Sequence, residues 1–485
     1  MLQGMSIQGG GRGRGLASWA RGQRNVLRGE RLRAVVSCWY AAGFAPTRET
    51  MGADYPEFAC TCPMPQQRWL RIIPVAFIMY TIAFIDRTNI SMALPVMSRD
   101  LHMNPTQAGD AAGIFFWGYL LLQIPGGYLA HRWSAKRFVS IALVAWGACA
   151  VACGLVNSAW EFWVMRFLLG IAEGGVWPAT LVLLSHWFPR GERARANAFW
   201  MLCLPVAVVL SSPLSGWILG RWNWRVLLIA EGALPLVWLL IWLWFINDRP
   251  HQARWISAEE REYLQTALDR ETAELEPVKP EPYLRAFMRP QVLVMVGIYF
   301  LLNCGSYGFL FWLPSALESA KQLSNLQVGV LFAIPYLVTG IAMVLNSQHS
   351  DKTRERRGHV AAALAWGGVF LLAAVLAGAR APLLSFVFIC LAGAGPYAAL
   401  GPFWAIPTET LPRSVAASAM GLVNAIGNLG GYFGPLVVGY LNQRTGNFLS
   451  AFGLLSLGLL VSSVLTYLLH PAHGPTRRED APGAK

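Results

Sequence analysis

Four ionisable residues stand inside long apolar stretches. Asp86 and Arg87 are adjacent in YTIAFIDRTNISMAL, and Arg166 and Glu173 share RFLLGIAEGGVWPA. A charge placed within a membrane span costs roughly 2.5–3.5 kcal/mol, so such residues are candidates for function. Arginine stays charged and presents a planar fork that matches a carboxylate. A carboxyl group in a partly dry cavity can bind and release a proton near neutral pH. The two types together make a proton-coupled anion site, in which Arg holds the anion and the acid carries the proton. Seven residues is two helical turns, about 20° from alignment, so Arg166 and Glu173 face the same way. The competing reading is structural ion pairing. Glu231 and Glu409 lie nearer the ends of their stretches and are weaker candidates.

Other polar residues fit the wall of such a site, which needs a few placed polar groups in an apolar lining. Tyr119 and Gln123 lie four apart, as do Asn424 and Asn428, while Tyr307 and Trp312 could wall a cavity. Each such residue is more often an interhelical hydrogen bond or interface anchor. His186 and His349 sit near segment ends and read as loop-proximal. Cys149, Cys153, Cys203, Cys304 and Cys390 read as small packing residues, since two thiols alone make a poor metal site. There is no P-loop, H-E-x-x-H or haem C-x-x-C-H, so neither ATP chemistry nor a cofactor is expected. The proton gradient is the expected energy source, and an enzyme is disfavoured by the lack of a catalytic constellation.

Of the 485 residues, 55% are hydrophobic and only 13% charged, about half the share in soluble proteins. That excludes an ordinary soluble enzyme, a disordered chain and a fibrous repeat. A helix needs about 20 mostly apolar residues to cross the bilayer. Twelve stretches qualify: 70–95, 107–130, 138–157, 160–187, 195–219, 225–246, 291–314, 325–348, 359–379, 382–408, 414–441 and 446–469. They are continuous, unlike the short alternating strands of a membrane barrel. The fold class is therefore all-α and polytopic, with twelve spans in two sets of six. The expected organisation is a leader (1–63), a first six-helix bundle (64–246), a linker (247–289), a second bundle (290–470) and a tail (471–485).

The linker holds seven basic and nine acidic residues, so it lies outside lipid. Its Ser257-Ala258-Glu259-Glu260 fits a capping box opening a polar helix. Loops on the linker's side carry eleven Lys and Arg against six opposite. That side is expected to be cytoplasmic, with both termini inside a cell membrane. The net charge of +13 is then explained without a nucleic-acid partner. The leader has eight Arg and four acids and no apolar signal stretch. We expect it to be disordered or untranslated, with synthesis starting at Met64.

The whole pattern resembles the major facilitator superfamily. Gly127 through His131-Arg132, followed by Lys136-Arg137, is similar to that family's gate signature between spans 2 and 3. Ser350-Asp351-Lys352-Thr353 with Arg356 is similar to its second copy. His131 stands where the family has Asp, so the first gate is expected to be weaker or pH-sensitive. Within the superfamily the chain resembles the anion:cation symporters, which carry sugar acids, tartrate and aromatic acids. The resemblance rests on Asp86-Arg87-Thr88-Asn89, Phe116-Trp117-Gly118-Tyr119, Arg166 with Gly170 and Glu173, Phe311-Trp312-Leu313-Pro314, and Asn424 through Gly431. It implies that Arg87 binds the substrate carboxylate, with Tyr119, Trp312 and Asn424 in the cavity. Asp86 and Glu173 would carry the coupling proton, and Arg166 would tune Glu173. The implied function is proton-coupled uptake of a small organic anion by a monomer in the lipid bilayer, with export as the alternative direction.

Overall fold

The computed structural model describes residues 66–273, 282–320 and 323–469. The expected leader and tail, and linker residues 274–281, lie outside them.

Helices fill all twelve apolar stretches. Span 1 is Gln67–Asp100, span 2 is Pro105–Gly113 followed by Phe115–Arg132, and span 3 is Ala135–Cys153. Span 4 is Ala159–Trp187, span 5 Arg190–Arg221 and span 6 Trp224–Phe245. In the second half, span 7 is Pro290–Ala320, span 8 Asn325–Thr353 and span 9 Arg357–Ala377. Span 10 is Pro382–Thr410, span 11 is Arg413–Gly427 followed by Gly430–Thr445, and span 12 is Leu449–Tyr467. Among the described residues, ten of these helices are long and apolar enough to cross a membrane. Spans 2 and 11 fall outside that set. They carry Gln123 and Asn424, whose side chains face each other across the bundles instead of facing lipid.

Proline explains several of the breaks. A proline lacks the N–H for the bond to residue i−4 and crowds that carbonyl. Span 4 breaks at Gly175, span 5 at Leu202, span 6 at Ala233 and span 10 at Ala399. Each break lies two or three residues before a proline: Pro178, Pro205, Pro235 and Pro402.

Helices in lipid gain little from the hydrophobic effect on meeting each other, so close van der Waals approach matters more. Glycine supplies it between spans 2 and 4. A Cβ on Gly118 would overlap the Phe167 carbonyl, and one on Gly170 would overlap that of Phe115. This contact brings Tyr119 beside Glu173. Between the bundles, span 1 packs on span 7, span 2 on span 11 and span 5 on span 8. The tightest of these contacts lie at the end away from the linker. There Gly109 meets Pro435, Gly216 meets Asn325, Thr106 Oγ1 donates to Gln443 Oε1 at 2.5 Å, and Arg99 pairs with Glu318 at 3.2 Å.

The linker helix, Ala258–Ala273, docks on the first bundle. The expected capping box forms by half. Glu260 N donates to Ser257 Oγ at 3.2 Å, but the Glu260 side chain turns to span 1. It accepts from Gln67 N at 3.0 Å and Arg68 N at 3.3 Å, and pairs with Arg68 Nη1 at 2.5 Å. The free N–H groups of span 1's first turn are a stronger attraction for a carboxylate than its own N-cap. Gln67 Oε1 takes the vacated role, accepting from Ser257 N at 3.0 Å.

Candidate functional site

A cavity of about 50 Å³ lies between the bundles, room for one or two waters. Span 1 contributes Tyr80, Phe84 and Arg87, and span 2 contributes Tyr119. Trp177 comes from span 4, and Met201 and Leu204 from span 5. The second bundle adds Tyr299, Leu302, Asn303, Ser306 and Tyr307 from span 7, Tyr397, Leu400 and Trp404 from span 10, and Asn424 and Asn428 from span 11. Arg87 is the one charged side chain among these lining residues.

Arg87 is only 3% exposed, and its guanidinium is the hub of the site. Nη2 pairs with Glu173 Oε1 and donates to Tyr80 OH at 3.4 Å. Nη1 donates to Tyr307 OH at 3.3 Å, across the bundle interface. The Tyr119 ring lies under the guanidinium carbon at 4.7 Å and the Phe115 ring at 5.2 Å, a cation–π cradle that holds its plane. Arg87 Nε and Glu173 Oε2 have no hydrogen-bond partner among the described residues. A buried cation with unused donors beside a buried acid with an unused oxygen is a pair that a second carboxylate could divide.

Asp86 turns the other way, into the first bundle. Its Oδ2 accepts from Trp146 Nε1 at 2.6 Å. Arg166 does not pair with Glu173, although both face the same side of span 4. Its Nη1 donates to the Asp86 carbonyl at 3.2 Å and its Nη2 to the Arg87 carbonyl at 3.4 Å. Arg166 thus clamps the backbone that carries the Asp86–Arg87 pair, while Arg87 itself takes the Glu173 ion pair.

Asn424 lines the cavity and ties the halves together, donating from Nδ2 to Gln123 Oε1 at 2.9 Å. Asn428 Nδ2 in turn donates to Asn424 Oδ1 at 3.0 Å. Trp312 lies elsewhere. Its indole donates to the Pro435 carbonyl at 2.9 Å, and it borders a separate depression of about 410 Å³ at the end away from the linker. It sits five residues beyond Tyr307 on span 7, more than a turn nearer the end away from the linker, which removes it from the central wall.

The gate residues divide by half. In the second copy Arg356 holds Asp351 at 2.6 Å and reaches Glu409 of span 10 at 3.0 Å. In the first copy, His131 lies 6.5 Å from His186 between ring centres, Arg132 stacks on Tyr128, and Gly127 abuts Pro178. The acid at the start of span 3 comes instead from beyond span 6. Asp248 accepts from Ser134 Oγ and from Lys136 N at 2.8 Å.

Several cavity residues were not singled out from sequence: Tyr80, Tyr299, Asn303 and Tyr397. Spacing held the signal for three of them. Tyr80 is seven residues before Arg87, and Tyr299, Asn303 and Tyr307 recur every four residues on one face of span 7.

The Major Facilitator Superfamily model matches residues 76–435 and 320–485. A protein of Agrobacterium vitis named for tartrate transport is 33% identical over 405 residues, covering 82% of this chain and 89% of that protein. A quinolone resistance transporter of Acinetobacter baumannii is 30% identical over 409 residues, covering 82% and 93% respectively. Among solved structures, the fold is similar to a bacterial homolog of the human lysosomal transporter Spinster in an inward-facing, occupied conformation. The TM-score there is 0.67 at 18% identity, covering 84% of this chain and 97% of that one. The chain belongs to the Major Facilitator Superfamily and is a multi-pass membrane transport protein.

Proposed function

We propose that this transporter takes up a small organic anion together with protons, and that Arg87 holds the anion. The observation that carries the reading is the lone lining cation of the midplane cavity, Arg87, held by an acid, Glu173. While Glu173 is ionised it occupies Arg87. A proton on Glu173 neutralises it and releases the guanidinium to a substrate carboxylate. Substrate and proton therefore bind together, which is what symport requires. Tyr307 and Asn424 bring the second bundle to the same site, so loading it favours closure of the halves around it. The relative named for tartrate transport supports a hydroxy-acid substrate, and sugar acids and aromatic carboxylates fit the same fork. With the basic linker side facing the cytoplasm of a cell membrane, the tight contacts described above close the outer face. The relative named for quinolone resistance supports the reverse direction, export, as the second reading.

The test is uptake of labelled tartrate, glucarate and benzoate into proteoliposomes under an inward proton gradient. A carboxylate accumulates above its outside concentration, and collapsing the gradient abolishes this. Arg87→Lys, which keeps the charge but loses the fork, weakens binding by about 2 kcal/mol, or ~30-fold. Accumulation that ignores the gradient, or normal affinity in Arg87→Lys, overturns the reading. Proton flow opposite in sign to substrate flow selects export.

A further inference from the structure

A third acid lies buried in the first bundle and plays no part in the scheme above. Glu231, on span 6, is 2% exposed. Its Oε1 accepts from Ser215 Oγ of span 5 at 2.7 Å, and Asn89 of span 1 lies close to the same carboxyl. Oε2 has no hydrogen-bond partner among the described residues. No cation pairs with it among them either: Arg225, on the same helix, is spent on Asp100 at 2.5 Å and on the Val156 carbonyl. Span 3 packs against this part of span 6 through Ala150 and Gly232. The basic residues of span 3, Lys136 and Arg137, stand at its other end. A carboxyl buried without a cation is cheapest as the neutral acid.

Its neighbours repeat the pattern. Asn89 is 4% exposed with Oδ1 unpartnered, and Asp86 is 1% exposed with Oδ1 unpartnered. Three buried oxygens from three residues, all acceptors and all unmet, require donors that the described residues do not supply. Protons on the acids and water between them are the donors that fit. The depths are ordered as well. Asp100 bonds both Trp224 Nε1 and Arg225, which sets the ends of spans 1 and 6 level at the face away from the linker. From there Glu231 is about 10 Å deep, Asn89 about 16 Å and Asp86 about 21 Å, at 1.5 Å per residue.

We propose that Glu231 is a proton-relay residue linking that face to Asp86, with Asn89 seating the water between them. This rests on the proton-coupled reading given above. In the step, the O–H bond of the Glu231 carboxyl breaks as its proton passes to the bridging water. That water gives one of its own protons to Oδ1 of Asp86 in its ionised form, which leaves the water and the Asp86 carboxyl neutral. The Glu231 carboxylate then takes a proton from a hydronium ion at the outer face, which becomes water. Protons and charge balance, and no other reagent enters.

The experiment uses the full chain in phosphatidylethanolamine–phosphatidylglycerol vesicles with a trapped pH dye. Tartrate, glucarate and benzoate are added in turn, and carboxylate-driven proton entry is read. Glu231→Gln keeps the shape and the Ser215 hydrogen bond but cannot pass a proton. It is expected to reduce proton entry at least tenfold, and Glu231→Asp to restore a measurable part of it. Should Glu231→Gln not reach the membrane folded, Glu231→Asp and Asn89→Val carry the same test, with proton entry expected to fall in both. Proton entry within twofold of the unaltered protein in folded Glu231→Gln, or in both Glu231→Asp and Asn89→Val where Glu231→Gln does not fold, overturns the relay alone. If the unaltered protein moves no protons with any of the three, the relay and the symport reading both fall.

Discussion

At the residue scale, the proposed coupling rests on one ion pair. Arg87 and Glu173 are both nearly fully buried, and breaking such a pair costs several kcal/mol unless a new partner arrives. In the proposed scheme a substrate carboxylate is that partner once Glu173 is neutral. The sign follows: lower pH favours neutral Glu173, freer Arg87 and tighter binding. Glu173→Gln mimics the protonated acid permanently. Its substrate Kd, followed by tryptophan fluorescence between acid and neutral pH, is expected to be flat where that of the unaltered protein weakens as pH rises. It should also lose uphill accumulation. A Kd in Glu173→Gln that still weakens with pH assigns the titration to another group.

At the element scale, two devices hold the site's helices. The first is the glycine contact of spans 2 and 4, where any Cβ on Gly118 or Gly170 meets a backbone carbonyl. Gly170→Ala must push the spans apart and move Tyr119 from beneath Arg87. Reduced expression and a lowered melting temperature are expected, with weaker binding in the protein that does fold. The second is the linker helix. Glu260 and Arg68 are 1% and 4% exposed, and Arg68 also bonds Glu192 at 2.7 Å. Glu260→Ala leaves two first-turn N–H groups of span 1 and part of the Arg68 charge unpaired, a loss of about 3 kcal/mol. A melting scan of the purified protein checks this, and Glu260→Gln should lose less because it still accepts from those N–H groups.

At the scale of the whole molecule, the halves meet tightly at the face away from the linker, at Thr106–Gln443, Arg99–Glu318 and the glycine contacts. Transport by alternating access requires these contacts to part. Cysteines at positions 106 and 443, joined by a short bifunctional crosslinker, are expected to stop uptake while leaving substrate binding from the linker face. Continued uptake after complete crosslinking would show that this face need not open. The sequence by itself determined the membrane class, the twelve helical stretches and the two halves, and it marked out four charges that prove to be buried. Those follow from local composition and from the cost of a charge in lipid, which a linear reading can weigh. The tertiary structure decided who pairs with whom. Seven residues put Arg166 and Glu173 on one face of span 4, yet it is Arg87 from another span that forms the ion pair with that acid, while Arg166 donates to span 1's carbonyls. Trp312 was expected in the cavity and lies nearer the face away from the linker, because height along span 7 depends on how the bundles cross. His131 left the first gate without its acid, and Asp248, distant in sequence, contacts the start of span 3. Glu231 looked peripheral by its place near a helix end and is buried once spans 1, 3 and 5 close around it. Pairing partners come from different helices, and only packing brings them within reach.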